Sequence, residues 1–334
     1  MKAPGFWYRP AGLAAAALAP LACLWAGVTA RRLRQGGPVK AGVPVICVGN
    51  LVAGGAGKTP LVRYLVERLR ARGLNAAALS RGHGGRLAGP LRVDPDRHTA
   101  GDVGDEPLLL SRHIPAWIGR DRVAAARAMR DAGVQAIIMD DGFQNPALAK
   151  DFSLIVADAG AGFGNGRVIP AGPLREPVTA GLARAQAVLL MGQEGPAAVG
   201  VRDATAAAGL PLLTAALVPD AVAASRLAGR RVLGFAGIGR PEKFFDTLRR
   251  IGAMPVATLP FPDHHPYMAD ELAALLRRAA ALDALPVTTE KDAMRLPPSL
   301  RAQVEILPVQ VALGDAAALD RLLDGVIGVG NGDA

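Results

Sequence analysis

"VGNLVAGGAGKTP", residues 48–60, decides how the rest of the chain is read. It ends like a phosphate-binding loop, yet the pattern G-x-x-x-x-G-K-[ST] would require glycine at position 52, where Val52 stands. Gly54, Gly55 and Gly57 still leave the turn free to wrap a phosphate, because glycine accepts positive φ and lets backbone N–H groups approach an anion closely. Val52 precedes the tight part of the turn, so its side chain is compatible with that role. Lys58 is placed to reach β- and γ-phosphates, Thr59 to offer its hydroxyl to Mg²⁺, and Pro60 to open the next helix where a missing N–H is harmless. The stretch Gly54, Gly55, Ala56, Gly57, Lys58, Thr59 and Pro60 is therefore the expected nucleotide cradle, with ATP and Mg²⁺ as its ligands.

Outward from the loop, "GVPVICVGNL" (42–51) reads as a buried strand and "NAAALS" (75–80) as its neighbour. Between them Leu61, Val62, Leu65, Val66 and Leu69 mark one face of a helix that stops at Gly73. This strand–loop–helix–strand unit has the length of a βαβ motif. Helix is predicted over 120–133, and the apolar runs 134–139, 153–158, 185–191 and 210–217 continue as buried parallel strands. Residues 219–230 read as a linker. A second series follows: strand "RVLGFAGI", helix Pro241 to Ile251, strand "MPVATLPF", helix Ala269 to Leu282 and strand "LPVTT". The expected fold is α/β, with a mostly parallel P-loop NTPase-like domain over 36–218, a smaller α/β domain over 231–334 that closes on the site, and an N-terminal apolar membrane-associated helix within 1–35. The tail "GVGNGDA" is expected to be disordered.

Phosphate loops work with an acid at the end of a neighbouring strand, and "AIIMDDGFQ" supplies Asp140 and Asp141 as Mg²⁺ candidates. Three other stretches concentrate polar residues. "GDVGDEP" sets Asp105 and Glu106 at a turn, "RVIPAGPLREP" joins Arg175 to Glu176, and "FPDHHPY" puts Asp263, His264 and His265 at a strand end. Plainer roles compete. Asp105 could cap a helix, Arg175–Glu176 could be a surface pair, and Arg122 could be an exposed residue at a helix start.

The net charge of +9 is unevenly placed: Lys2, Arg9, Arg31, Arg32, Arg34 and Lys40 carry six of the nine charges, with no acid in residues 1–40. They flank the uncharged run "AGLAAAALAPLACLWAGVTA" (11–30). Basic flanks around an apolar segment suit an anionic membrane better than nucleic acid, whose binders spread basic residues over a folded face. A cleaved signal peptide and a spanning helix compete with a membrane-seated helix anchored by Trp7, Tyr8 and Trp25. The seated helix is favoured, since Pro20 and the alanines weaken a span and the loop needs cytoplasmic nucleotide. Two cysteines, Cys23 and Cys47, form neither a disulfide framework nor a zinc spacing.

"GNLVAGGAGKTP", "SRGHGG", "GDEP", "DDGFQ", "IPAGPLREP", "PDHH" and "TTEKDAMRL" occur in the order found in the tetraacyldisaccharide 4′-kinase family, which this chain resembles from its N-terminal helix to about residue 310. Two departures are His83 in "SRGHGG", where the family more often has tyrosine, and Asn145 after "DDGFQ", where it more often has histidine. The resemblance implies a kinase on the cytoplasmic face of the inner membrane of a Gram-negative bacterium, and nothing in the sequence demands more than a monomer. Using Mg·ATP, it would phosphorylate the 4′-hydroxyl of a tetraacyl glucosamine disaccharide 1-phosphate, the lipid A precursor. It also implies a base, Asp105, working with a histidine, for which His264 is preferred to His265. With Lys58 these form the expected catalytic set. Thr59, Asp140, Asp141 and Glu176 are then expected around Mg²⁺, and Arg122, Arg175 and Gln144 at phosphate or substrate. A membrane-peripheral P-loop ATPase and a lipid-binding scaffold with a degenerate nucleotide site are the alternatives.

Overall fold

The computed structural model describes residues 4–55 and 57–328. Among the described residues thirteen strands form two sheets: β1 (Val45–Gly49), β2 (Ala76–Ser80), β3 (Leu91–Arg92), β4 (Ala116–Ile118), β5 (Ala136–Asp140), β6 (Phe152–Asp158), β7 (Ala187–Met191), β8 (Leu212–Pro219), β9 (Arg231–Ala236), β10 (Met254–Pro260), β11 (Leu285–Thr289), β12 (Glu305–Leu307) and β13 (Val309–Leu313). The larger sheet has nine strands in the order β13-β8-β7-β6-β1-β5-β2-β4-β3. All its pairings are parallel except those of the edge strands β13 and β3. β1, β2, β5, β6 and β7 are buried along their whole length, so their apolar runs face helices on both sides, as central parallel strands must.

The helix Lys58–Ala71 covers one face of this sheet. Leu61, Val62, Leu65, Val66 and Leu69 are fully buried there, each side chain worth about 1.5–3 kcal/mol on leaving water. Gly73, at φ 86°, ends that helix, and the Leu74 N–H returns to the Leu69 carbonyl. The parallel strands end together at Gly49, Ser80, Ile118, Asp140, Asp158 and Met191, the edge where open α/β sheets bind ligands. The smaller sheet, in the order β10-β9-β11-β12, is all parallel.

Three expectations change. Residues from 309 onward do not stay with the smaller domain. β13 pairs antiparallel with β8, and the helix Ala316–Ile327 buries Leu319 and Leu323 in the core of the larger one. Asp320 and Asp324 of that helix ion-pair with Arg68 and Arg72. The supposed linker carries a helix, Ala221–Leu227, whose Ala223 and Leu227 lie in the core of the smaller domain. The N-terminal apolar run is two helices, Leu13–Ala17 and Ala19–Arg34, separated at Leu18 just before Pro20. Among the described residues no helix is long and apolar enough to cross a membrane. The tail 329–334 lies outside the described residues.

Candidate active site

The phosphate loop leaves β1 at Gly49 and enters its helix through Gly57, whose φ of 78° favours glycine. Val52 lies in an extended stretch that bridges Leu174, and the Ala53 N–H donates to the Pro173 carbonyl at 2.8 Å. The position where the usual pattern has glycine is therefore a strand-like pairing site, where a β-branched side chain is at ease. Buried Asn50 secures the turn from within, its Nδ2 donating to the carbonyls of Val52 (2.7 Å) and Gly54 (3.1 Å). Ala56 lies outside the described residues.

Lys58 points to Asp141, with Nζ 3.3 Å from Oδ1. Arg175 grips both oxygens of the same carboxylate at 2.7 and 3.0 Å. Burial opposes ionisation of Asp141, but these two cations hold its pKa down at about 2. Asp140 is the opposite case: burial, reinforced by the nearby charge of Glu106, pushes its carboxyl well above the usual range. Its Oδ2 meets the Thr59 hydroxyl at 3.4 Å, while buried Oδ1 has no partner among the described residues. An unpartnered carboxylate oxygen beside a loop threonine suits a hard divalent cation completed by phosphate oxygens. Glu176 does not join them. Its Oε1 takes a bond from Gln144 (3.0 Å) and its Oε2 pairs with Arg184, so it braces the loop rather than facing Thr59. Gln144 also donates to the Asn50 carbonyl (3.0 Å) and accepts from Arg175 (3.2 Å).

Arg122 is buried, contrary to the exposed reading. It donates to the Gly119 carbonyl, and its Nε has no partner among the described residues. Burial and the neighbouring Arg81 lower its pKa to about 10, while Asp140 and Asp141 oppose the shift. A desolvated guanidinium with a free N–H is prepared for an anion.

The structure brings Asp105 and His264, 159 positions apart, to 2.9 Å through Oδ2 and Nδ1. Asp105 is the first residue of the helix Asp105–Ser111, not its cap, and its Oδ1 accepts from the Glu106 N–H. Burial works against the charge on Asp105, but His264, Lys291 and Arg295 hold its pKa below the ordinary value. The bond to Asp105 in turn raises that of His264. His265 faces away and bonds Glu271 at 2.7 Å.

Residues 14–328 match the family model described as Tetraacyldisaccharide-1-P 4′-kinase. The chain is 64% identical to the tetraacyldisaccharide 4′-kinase of Rhodospirillum centenum, over 97% of this chain and 96% of the relative. It is 51% identical to that of Rhodospirillum rubrum, over 98% of each. The chain belongs to the tetraacyldisaccharide 4′-kinase family. It is thus a kinase of lipid A biosynthesis. The fold matches that of LpxK from Aquifex aeolicus, solved with ATP, at a TM-score of 0.73 and 24% identity, covering 94% of this chain and 99% of that one.

Several residues of this tetraacyldisaccharide 4′-kinase escaped the motif reading. Asp158, at the end of β6, pairs with Lys243 (2.6 Å) and Arg240 across the domains. His113 meets Glu290 at 3.1 Å, and Lys291 meets Glu106 at 3.0 Å. The available signal was one of position: Asp158 closes a buried apolar strand, and Lys291 lies in a motif already known from the resemblance.

Proposed function

We propose that this kinase transfers the γ-phosphoryl group of Mg·ATP to the 4′-hydroxyl of its lipid disaccharide by a base mechanism centred on Asp105. The observation that carries the proposal is the 2.9 Å bond between Asp105 and His264, which joins a buried carboxylate of one domain to an imidazole of the other. Lys58 and the loop N–H groups hold the β- and γ-phosphates. Thr59 and Asp140 would hold Mg²⁺, which when bound would spread the charge of the phosphates. Asp105 accepts the hydroxyl proton as the oxygen–phosphorus bond forms and the bond to the departing ADP oxygen breaks. His264 orients the carboxylate. Arg175 and Arg122 are aimed at phosphate charge, and Gln144 keeps Arg175 in place.

The substrate is a membrane lipid, and the N-terminal helices offer a surface for it. Leu13, Leu21, Leu24, Trp25 and Val28 are exposed, and Arg31, Arg32 and Arg34 follow at the helix end. An apolar stripe closed by arginines seats a helix at an anionic interface, here the cytoplasmic face of the inner membrane.

The test uses γ-labelled ATP, Mg²⁺ and tetraacyl disaccharide 1-phosphate in detergent micelles. Label in the lipid, lost in Lys58→Ala, is the expected result. Release of inorganic phosphate alone would indicate an ATPase instead. Asp105→Ala is expected to lower kcat by roughly 10²–10⁴ with ATP affinity kept. Turnover near wild type in that variant would remove Asp105 from the role of base.

A further inference from the structure

The segment "TTEKDAMRL" (288–296) has no part in the mechanism above, yet it lies against the Asp105–His264 pair. It begins at the end of β11 and turns into the short helix Glu290–Ala293. Asp292, fully buried, fixes that turn. Its Oδ2 accepts from the Thr289 hydroxyl (2.6 Å), and its Oδ1 accepts from the Gly237 N–H (2.8 Å), the Tyr267 hydroxyl (2.9 Å) and Arg295. Lys291 is thereby presented to the domain interface. Its Nζ lies 3.0 Å from Glu106 Oε1, 3.3 Å from His264 Nε2 and 3.9 Å from Asp263 Oδ1.

An ammonium can only donate hydrogen bonds. A ring nitrogen at 3.3 Å from it must therefore present its lone pair, which leaves the single proton of neutral imidazole on Nδ1, facing Asp105. We infer that Lys291 is a positioning residue that holds His264 in the Nδ1–H tautomer, so that the imidazole donates to Asp105 and keeps that carboxylate aimed and unprotonated. The other tautomer would set lone pair against lone pair at Asp105. The imidazolium would set an N–H against the ammonium. The groups facing His264 are Asp105 from the larger domain, Lys291 and Asp263 from the smaller one, and the His83 ring at 6.2 Å, while Arg295 Nε stands 3.6 Å behind Asp105. Lys291 is the cation among them that reaches Nε2, and it does so from within the same domain as His264.

The kinetic side of this inference rests on Asp105 as the base; the tautomer does not. The experiment is ¹⁵N NMR of histidine-labelled full-length protein, in which five histidines give few signals and His264→Gln assigns the relevant one. The expected wild-type spectrum has His264 protonated at Nδ1 and bare at Nε2 in its neutral form. In Lys291→Met the Nε2–H form gains population and His264 titrates at higher pH, because a cation that opposed its protonation is gone. Turnover falls on the order of 10–100-fold, by analogy with the loss when the outer partner of a metal-bound histidine is removed, and KM for ATP stays within about threefold. An Nε2–H tautomer in the wild type overturns the inference, whether or not the variant folds. So does a Lys291→Met protein with unmoved His264 resonances, even if slow, since Lys291 would then only brace the domains through Glu106. Full turnover in Asp105→Ala would remove the base assignment and leave the tautomer result standing.

Discussion

Asp141 and His264, two residues of the site, have φ of 50° and 57°, a left-handed backbone that costs a non-glycine residue of order 1–3 kcal/mol when sparsely populated. Their contacts over-determine them: Asp141 is held by Lys58 and Arg175, and the His264 N–H donates to the Gly237 carbonyl at 3.1 Å. The ionised form of Asp141 is favoured in the folded protein, so its share of stability is complete above the ordinary carboxylate pKa near ~3.9 and fades as pH falls through about 2. Melting temperatures of wild type and Asp141→Asn should differ most above that window and converge toward its acid end. A difference that stays constant with pH would show that the pairs contribute nothing. Gly104 is constrained by space as well as by torsion. Its φ is 91°, and a Cβ there would stand 2.4 Å from the His83 carbonyl oxygen. Gly104→Ala is expected to lower the melting temperature and to slow turnover by shifting Asp105 next door, measured by calorimetry and by lipid phosphorylation. Neither torsion was legible in the sequence, because φ at Asp141 and His264 is imposed by partners distant in the chain.

Among the elements, those with an unambiguous apolar pattern were read almost correctly. β1, β5 and β6 fall inside or within a residue or two of the predicted runs, since a buried parallel strand must be apolar on both faces. The N-terminal run was harder, because alanine marks no face. The structure gives it one: Leu21, Leu24, Trp25 and Val28 form an outward stripe, while Ala22 and Thr29 are buried. The indoles expected as interfacial anchors also bond inward, Trp7 to the Pro170 carbonyl (3.1 Å) and Trp25 to that of Arg175 (3.3 Å). Replacing Leu21, Leu24 and Val28 together by Ser should release the protein from anionic vesicles in a flotation assay and leave ATP affinity unchanged. Vesicle binding equal to wild type would sink the membrane-seat reading. The Asp105–His264 contact belongs to no element pattern. Only the family resemblance suggested it, because nothing local to either residue encodes a partner in another domain.

On the scale of the molecule, the smaller domain is an insertion into an edge hairpin of the larger sheet. Pro219 and Val309, where the chain leaves and returns, are pairing partners in the β8–β13 ladder. That return was not legible, since "VQVAL" is a short strand pattern that either sheet could accept. A chain in which residues 220–308 are replaced by Asn-Gly should fold cooperatively as the larger domain alone, because a two-residue turn spans such a pair. A molten or insoluble product would show that the sheet needs its insert. The full chain carries the reverse dependence in time. During synthesis the smaller domain is complete once Leu307 has emerged, although it comes second in the sequence. The larger domain, begun first, waits with its helix Lys58–Ala71 partly uncovered until Leu319 and Leu323 have followed the whole of the smaller one. A stop codon at position 309 would spare every active-site residue and still leave the nucleotide-binding half unfinished.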